Sequence, residues 1–275
     1  VADLDEALAA IRALGTDTSW LVTRDGTVLA RQAADRLMGV GSAFKLGVLA
    51  VLVQDVQSGL RRWDDVVVLD EADLSLPSGI LQDHPPGAPL TLHGAAALMI
   101  SISDNTATDL LIRTLGRDRI AEVLGLAPLL TTREFFALKA DSAAAAAFLA
   151  AAPEKRAGLA AAAAETLPMA SQVTGPYTSG IESEVPLDRL CALALPLADL
   201  PLMAINPGPV AAEDWDRVAY KGGSSPGVLN FIAVLRDSRG QSLCVAITVN
   251  SDREVDLAAA MAAFRGLLGV LSDPG

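Results

Sequence analysis

Histidine, cysteine and lysine are scarce in this chain of 275 residues, which has two histidines, two cysteines and four lysines. His84, His93, Cys191 and Cys244 are too few and too scattered for the spacing of a zinc or other His/Cys site, so no metal is expected. Each histidine reads as a surface or capping residue. The two cysteines lie in apolar stretches, one in an expected helix and one in an expected strand, and read as buried free thiols rather than a disulfide. Positive charge is also short: 21 Lys and Arg face 33 Asp and Glu, a net charge of -12. Without excess cations the chain cannot release counterions from a phosphate backbone, which excludes nucleic acid and anionic lipid surfaces as partners. No uninterrupted apolar run reaches transmembrane length, and the alanine-rich stretches near 143–152 and 257–271 are too short or carry charge, so no membrane span is expected. With so few lysines, any small anion must be held by specific cations, which draws attention to Lys45, Lys139, Lys155 and Lys221.

What is present is a globular composition, 51% hydrophobic and 20% charged, far from the range that leaves a chain disordered. The length exceeds one typical domain and falls short of two, so a single domain of 1–275 with a sizeable insertion is expected. Residues 2–14 carry apolar side chains at helical spacing and end at Gly15, a helix with its stop signal. The run SWLVTRDGTVLARQA reads as two strands joined by Asp25-Gly26, a pair favoured in type I′ turns because both central residues need positive φ. Three further strands, DRVAYKGG, VLNFIAVLRD and QSLCVAITVN, precede an amphipathic helix from Glu254 to Leu271. Strands and helices drawn from both ends imply an α+β fold, with a five-stranded antiparallel sheet from 1–35 and 210–275 flanked by the terminal helices. Residues 36–209 read as an inserted all-helical lobe, with helices near 43–57, 91–102, 105–115, 118–124, 141–152, 154–166 and 187–199.

Three short motifs carry chemistry. Ser42-Ala43-Phe44-Lys45 sets a hydroxyl and an amine at i and i+3, on one side of a helix and within reach of each other. The following LGVLAVLV is apolar on every face, so the helix is expected to be buried, in a low dielectric that disfavours the charged amine. Ser42 then stands at a helix N-terminus, where free backbone N–H groups favour a developing oxyanion. The alternative for the tetrapeptide alone is a capping serine with a lysine snorkelling from a surface helix. Ser103-Asp104-Asn105 lies between two expected helices. It suits an N-cap and turn, and it also suits a proton relay through Ser103 and an orienting amide at Asn105. Lys221-Gly222-Gly223 ends the first closing strand, where glycines let a ligand lie along the edge as an added strand and Lys221 can take a carboxylate. Gly223-Ser224-Ser225-Pro226-Gly227 matches a G-x-S-x-G nucleophile elbow in letters only, because it passes from strand to strand through a proline.

Together, in this order and in these contexts, the motifs resemble the class A β-lactamases and their relatives among the penicillin-binding proteins, over nearly the whole chain. The resemblance implies a β-lactamase-like serine hydrolase with no cofactor, which opens a β-lactam or cleaves an ester through a covalent acyl-Ser42 enzyme. Its partner is then a small-molecule acyl substrate. Ser42 becomes the nucleophile, Lys45 its activator, Ser103 the proton relay, Asn105 a substrate amide contact and Lys221 the carboxylate contact. The backbone N–H groups of Ser42 and Ser224 become the oxyanion hole. A bacterial protein is implied, secreted or periplasmic if a leader ahead of Val1 was removed and cytoplasmic otherwise.

Two departures from the family pattern stand out. Family members usually carry Thr or Ser after the strand lysine. Here that position is Gly222, so a hydroxyl contact to a substrate carboxylate is missing unless Ser224 or Ser225 replaces it. The loop that in class A enzymes supplies a glutamate and an asparagine to hold the deacylating water reads LLTTREFFALKA, without E-x-x-L-N. Its only carboxylate, Glu134, is either a deacylation base or a solvated or Arg133-paired loop residue. An acyl-enzyme persists without an activated water, so a DD-peptidase acting on a D-alanyl peptide and a sensor acylated once remain as alternatives.

Overall fold

The computed structural model describes residues 3–272. In chain order its elements begin with α1 (Leu4–Arg12), β1 (Asp17–Arg24), β2 (Thr27–Gln32), α2 (Lys45–Gln57), β3 (Val66–Val68) and β4 (Pro89–Thr91). Then come α3 (Leu92–Ser101), α4 (Asn105–Leu115), α5 (Arg117–Leu124), α6 (Thr132–Ala140), α7 (Ser142–Ala150) and α8 (Pro153–Ala163). The chain closes with α9 (Leu187–Leu197), β5 (Arg217–Ser225), β6 (Val228–Arg236), β7 (Ser242–Asn250) and α10 (Leu257–Ser272). It divides into two compact units, one made from both chain ends up to Phe44 and from Glu184 onward, the other from Lys45–Ser183.

The first unit holds the five long strands in one antiparallel sheet, ordered β2-β1-β7-β6-β5. Asp25 and Gly26 have φ of 47° and 78° between β1 and β2, the positive values that a two-residue hairpin of matching twist requires. β6 and β7 are apolar at nearly every position because both faces of the sheet are covered. On one face Phe231, Ala233, Val245 and Ile247 meet α1 and α10 through Ile11, Phe264 and Leu267. On the other, α9 packs against β7, β6 and β1, and Cys191 is bonded to Cys244 with Cα atoms 6.1 Å apart. The expectation of two free thiols is therefore corrected. Apolar burial, which suggested free thiols, is what seats the two cysteines against each other across the helix–sheet contact.

In the second unit α2 is the buried centre, with Leu46, Val48, Leu49 and Leu52 sealed from solvent. α3, α4 and α5 pack on it. Gly47 admits α5, since a Cβ there would stand 2.5 Å from Leu124 Cγ. Three elements fall outside the sequence reading. β3 and β4 pair as a small antiparallel sheet, too short for alternation to show. The segment read as a loop around Glu134 contains α6, opened by a capping box in which Thr131 Oγ1 accepts from Glu134 N and Glu134 Oε2 accepts from Thr131 N. Leu138, Phe148 and Ala160 tie α6, α7 and α8 into a satellite core.

Candidate active site

Ser42 lies in a single 3-10 turn, Gly41–Phe44, directly ahead of α2. Buried Asn250, at the end of β7, fixes the approach to that turn: Gly39 N donates to Asn250 Oδ1 at 2.9 Å and Asn250 Nδ2 donates to Gly39 O at 2.8 Å. On its other side the turn meets the end of β5 backbone to backbone. A Cβ on Gly223 would stand 2.6 Å from Ser42 N, and one on Gly41 would stand 2.7 Å from Ser224 N. Two glycines thus let the main chain at Ser42 N and at Ser224 N pack against each other. Lys221 is buried on β5, and its Nζ donates to Gly222 O at 2.5 Å. Burial pulls the Lys221 ammonium down to about 7. The G-x-S-x-G letters fall on the β5–β6 turn through Pro226-Gly227, so no strand-to-helix elbow exists there.

The second unit carries Lys45, Ser103 and Asn105. Lys45 is fully buried, and its Nζ donates to Asn105 Oδ1 and Ser103 O, both at 2.7 Å, and lies 3.1 Å from Ser103 Oγ. The snorkelling reading of this lysine is thereby excluded. Ser103 has φ of 57°, a left-handed conformation that costs an L-residue about 1–2 kcal/mol. The surroundings hold it there, because its carbonyl accepts from Ser78 Oγ at 2.7 Å as well as from Lys45. Asp104 is consumed structurally. One of its carboxylate oxygens caps α4 through Ala107 N at 2.8 Å, and the other accepts from Ile80 N and Leu81 N at 2.7 and 3.0 Å. Asn105 is held by Nδ2 donating to Leu76 O at 2.9 Å, which aims its Oδ1 at the lysine. The tripeptide divides by residue: Asp104 is the cap, and Ser103 and Asn105 bond to Lys45.

Sequence reasoning passed over Ser75, Ser78, Asp109 and Thr132. Asp109 is one turn along α4 from Asn105, and its carboxylate accepts from Thr132 N at 2.7 Å and Arg133 N at 2.9 Å, the open N-terminus of α6. Burial pushes Asp109 up to about 7, against the lowering effect of those two bonds and of the Lys45 charge. Thr132 Oγ1 donates to Ser75 Oγ at 2.7 Å and lies 3.3 Å from Asn105 O. The available signal was a run of polar residues, Asn105, Thr106, Thr108 and Asp109, at the start of a helix that otherwise reads as core.

Glu134 is neither solvated nor paired with Arg133. It is 4% exposed, its Oε1 accepts from Arg117 at 2.9 Å, and its Oε2 closes the capping box. A cavity of about 580 Å³ opens beside it, bordered by Asp73, Arg113, Arg117 and Arg133. Each of those guanidiniums is already bonded, to Asp73, Glu134, and the carbonyls of Leu74 and Ala164 respectively. Of the remaining cations singled out, Lys139 pairs with Glu182 at 2.9 Å and Lys155 is exposed, as are His84 and His93. Among the described residues no helix is long and apolar enough to cross a membrane.

The chain matches the family model described as "Beta-lactamase enzyme family" over residues 3–174. Solved structures that share its fold include the β-lactamase from Sphaerobacter thermophilus, 23% identical with a TM-score of 0.70 over 98% of this chain and 95% of that one. An ancestral class A β-lactamase is 17% identical, with a TM-score of 0.67 over 98% of both chains. A mutant of PBP-A, solved as an acyl-enzyme complex with penicillin G, is 15% identical with a TM-score of 0.66 over 98% of this chain and 94% of that one. A sequence search among curated proteins found no match. These likenesses establish the β-lactamase-like α+β fold, with its five-stranded antiparallel sheet, terminal helices and helical insertion.

Proposed function

The chain belongs to the β-lactamase enzyme family, and from that membership we propose that it is a serine hydrolase which opens β-lactams, or cleaves related esters, through an acyl-enzyme on Ser42. The observation that carries this reading is the setting of Lys45: a fully buried amine, three residues along the chain from Ser42 and bonded to Ser103 and Asn105. A neutral lysine has two N–H donors and one lone pair. Ser103 O and Asn105 Oδ1 accept the two donors, and the Ser103 hydroxyl at 3.1 Å can donate as well as accept.

Ser42 Oγ attacks the acyl carbon while Lys45 takes the hydroxyl proton. The backbone N–H groups of Ser42 and Ser224 receive the oxyanion. Ser103 passes the proton from Lys45 to the leaving nitrogen or oxygen as its bond to the acyl carbon breaks. Asn105 contacts the substrate amide, Lys221 takes the substrate carboxylate, and water then hydrolyses the ester of Ser42.

A second reading, a penicillin-binding module that is acylated once and released slowly, is supported by Glu134, both of whose carboxylate oxygens are engaged. One experiment separates the readings. Wild type and Ser42→Ala are mixed with a chromogenic cephalosporin and with a p-nitrophenyl ester, and turnover and intact mass are recorded. Repeated cephalosporin turnover supports the lactamase, and ester turnover alone supports an esterase. A stable mass increase without turnover supports the slow-release module, and unchanged activity in Ser42→Ala removes the assignment.

A further inference from the structure

Gly222, where the family usually has a hydroxyl-bearing side chain, is not open space. A Cβ built there would stand 2.3 Å from Tyr220 Oη and 3.1 Å from its Cζ. Tyr220 and Gly222 are two residues apart on β5 and so point to the same face of the sheet. The phenol of Tyr220 therefore lies across the place that a residue-222 side chain would fill. A second glycine makes this possible: at Gly208, with φ of 58°, a Cβ would lie 2.2 Å from Tyr220 Cε1. The loop bearing Gly208 is tied down by Arg265 Nε donating to Pro209 O at 3.0 Å, and Phe231 on β6 backs the ring with centroids 6.3 Å apart. Two glycines from separate parts of the chain thus cradle one tyrosine in one position.

Burial holds the Tyr220 phenol above its ordinary range, so it stays protonated and can donate at neutral pH. Among the described residues, no protein group is bonded to its hydroxyl. The Lys221 ammonium ends on the carbonyl of the same Gly222, so a neutral donor and a cation both terminate at one residue of the edge strand. Lys221 points to the opposite face of β5 from Tyr220 and Gly222, so the phenol and the ammonium approach Gly222 from the two sides of the edge strand.

We propose that Tyr220 is a specificity-determining residue of this hydrolase, its hydroxyl replacing the one missing at position 222 and donating to the carboxylate of the acyl substrate alongside Lys221. The assignment rests on the serine-hydrolase reading above. It takes the place of the alternative in which Ser224 or Ser225 supplies that contact.

The test uses Tyr220→Phe, which removes one oxygen and keeps the ring between Gly208 and Phe231. The probes are a chromogenic cephalosporin, which carries a carboxylate, and p-nitrophenyl acetate, which has none. A hydrogen bond to a charged group is lost, so KM for the cephalosporin rises about 10-fold or more with kcat little changed, while kinetics with the acetate ester stay within about twofold. In the double variant Tyr220→Phe with Gly222→Ser the hydroxyl clash is gone and the ring has to yield only a few tenths of an ångström to a Cβ 3.1 Å from its Cζ, so part of the cephalosporin KM is recovered. Equal losses on both probes mark a merely structural role and overturn the assignment, as does an unchanged cephalosporin KM. Acylation of wild type by the ester alone leaves Ser42 standing as nucleophile and overturns carboxylate recognition. Acylation by neither probe overturns the hydrolase reading, and this assignment with it.

Discussion

Gly223→Ala adds one methyl where β5 meets the Ser42 turn backbone to backbone. The new carbon would stand 2.1 Å from Val40 O, 2.6 Å from Ser42 N and 2.7 Å from Ala43 N, where relaxed non-bonded contact needs roughly 3.5 Å. All three neighbours are backbone, so no rotamer relieves the clash, and β5 must part from the Ser42 turn by about 1 Å. Overpacking of this size costs about 1–3 kcal/mol of stability. The larger effect is kinetic. The Ser42 and Ser224 amides, the oxyanion donors of the proposed mechanism, are drawn apart by the same distance, and loss of one such donor is expected to slow acyl transfer by about 10²–10³-fold. The assay is the second-order acylation constant with a cephalosporin, read by intact mass against time, beside urea unfolding of the same samples. Gly26→Ala is the matched control. It forces alanine into a positive φ of 78° with nothing within 4 Å of the added carbon, so it loses stability without touching the Ser42 turn. Acylation of Gly223→Ala within about threefold of wild type would refute the claim that this close approach builds the oxyanion site.

Burial lowers Lys221 to about 7, so the cation that the proposed mechanism offers to a carboxylate is lost as pH rises. kcat/KM for an anionic cephalosporin should fall about tenfold per unit above that pH, and Lys221→Arg should abolish the fall; a flat wild-type profile from about pH 6 to 9 refutes this. Burial raises the Asp109 carboxyl to about 7, above the ordinary aspartate value of 3.8. The native state therefore binds more protons than the unfolded state between those values, and the contribution of Asp109 to stability declines as pH rises through that window. Urea midpoints should shift in favour of Asp109→Asn, relative to wild type, between about pH 4 and 7, and a constant difference refutes the sign. The Cys191–Cys244 bond spans 53 residues of sequence, and loop-closure entropy assigns it about 4 kcal/mol. Urea unfolding with and without reductant measures this, and a difference under about 1 kcal/mol refutes the entropic account.

The sheet was legible because its strands carry strong local signals. β6 and β7 are buried on both faces and show as near-continuous apolar runs bounded by turn residues, and Asp25-Gly26 announces its own hairpin. α2 was legible for a similar reason, since a helix apolar all round has to be interior. The disulfide was not, because nothing local distinguishes a buried thiol from a buried half-cystine when the partner is 53 residues away. α6 was hidden by its opening residues: Thr131, Thr132, Arg133 and Glu134 look like a polar loop until the capping box and the Asp109 carboxylate are seen satisfying the first N–H groups of the helix. The β3–β4 pair has three residues a side, with Val66 and Val68 exposed, and offers no alternation to read.

At the candidate site the legible residues were those whose types are chemically unusual in their settings: a lysine entering an apolar helix, and a Ser-Asp-Asn run between two helices. What holds them was not legible, because it consists of ordinary polar residues whose importance lies in burial. Asp104 clamps the turn at Ile80 and Leu81, and Asn105 is aimed at Lys45 by the carbonyl of Leu76, 29 positions earlier in the chain. The same limit applies to the departure at Gly222. Inspected alone, that glycine reads as a lost hydroxyl. Set beside Tyr220, two residues back on the same strand face, it reads as the space that a phenol needs. A substitution in a strand motif changes what its i±2 neighbours can do, and those positions lie outside the motif that a sequence comparison weighs.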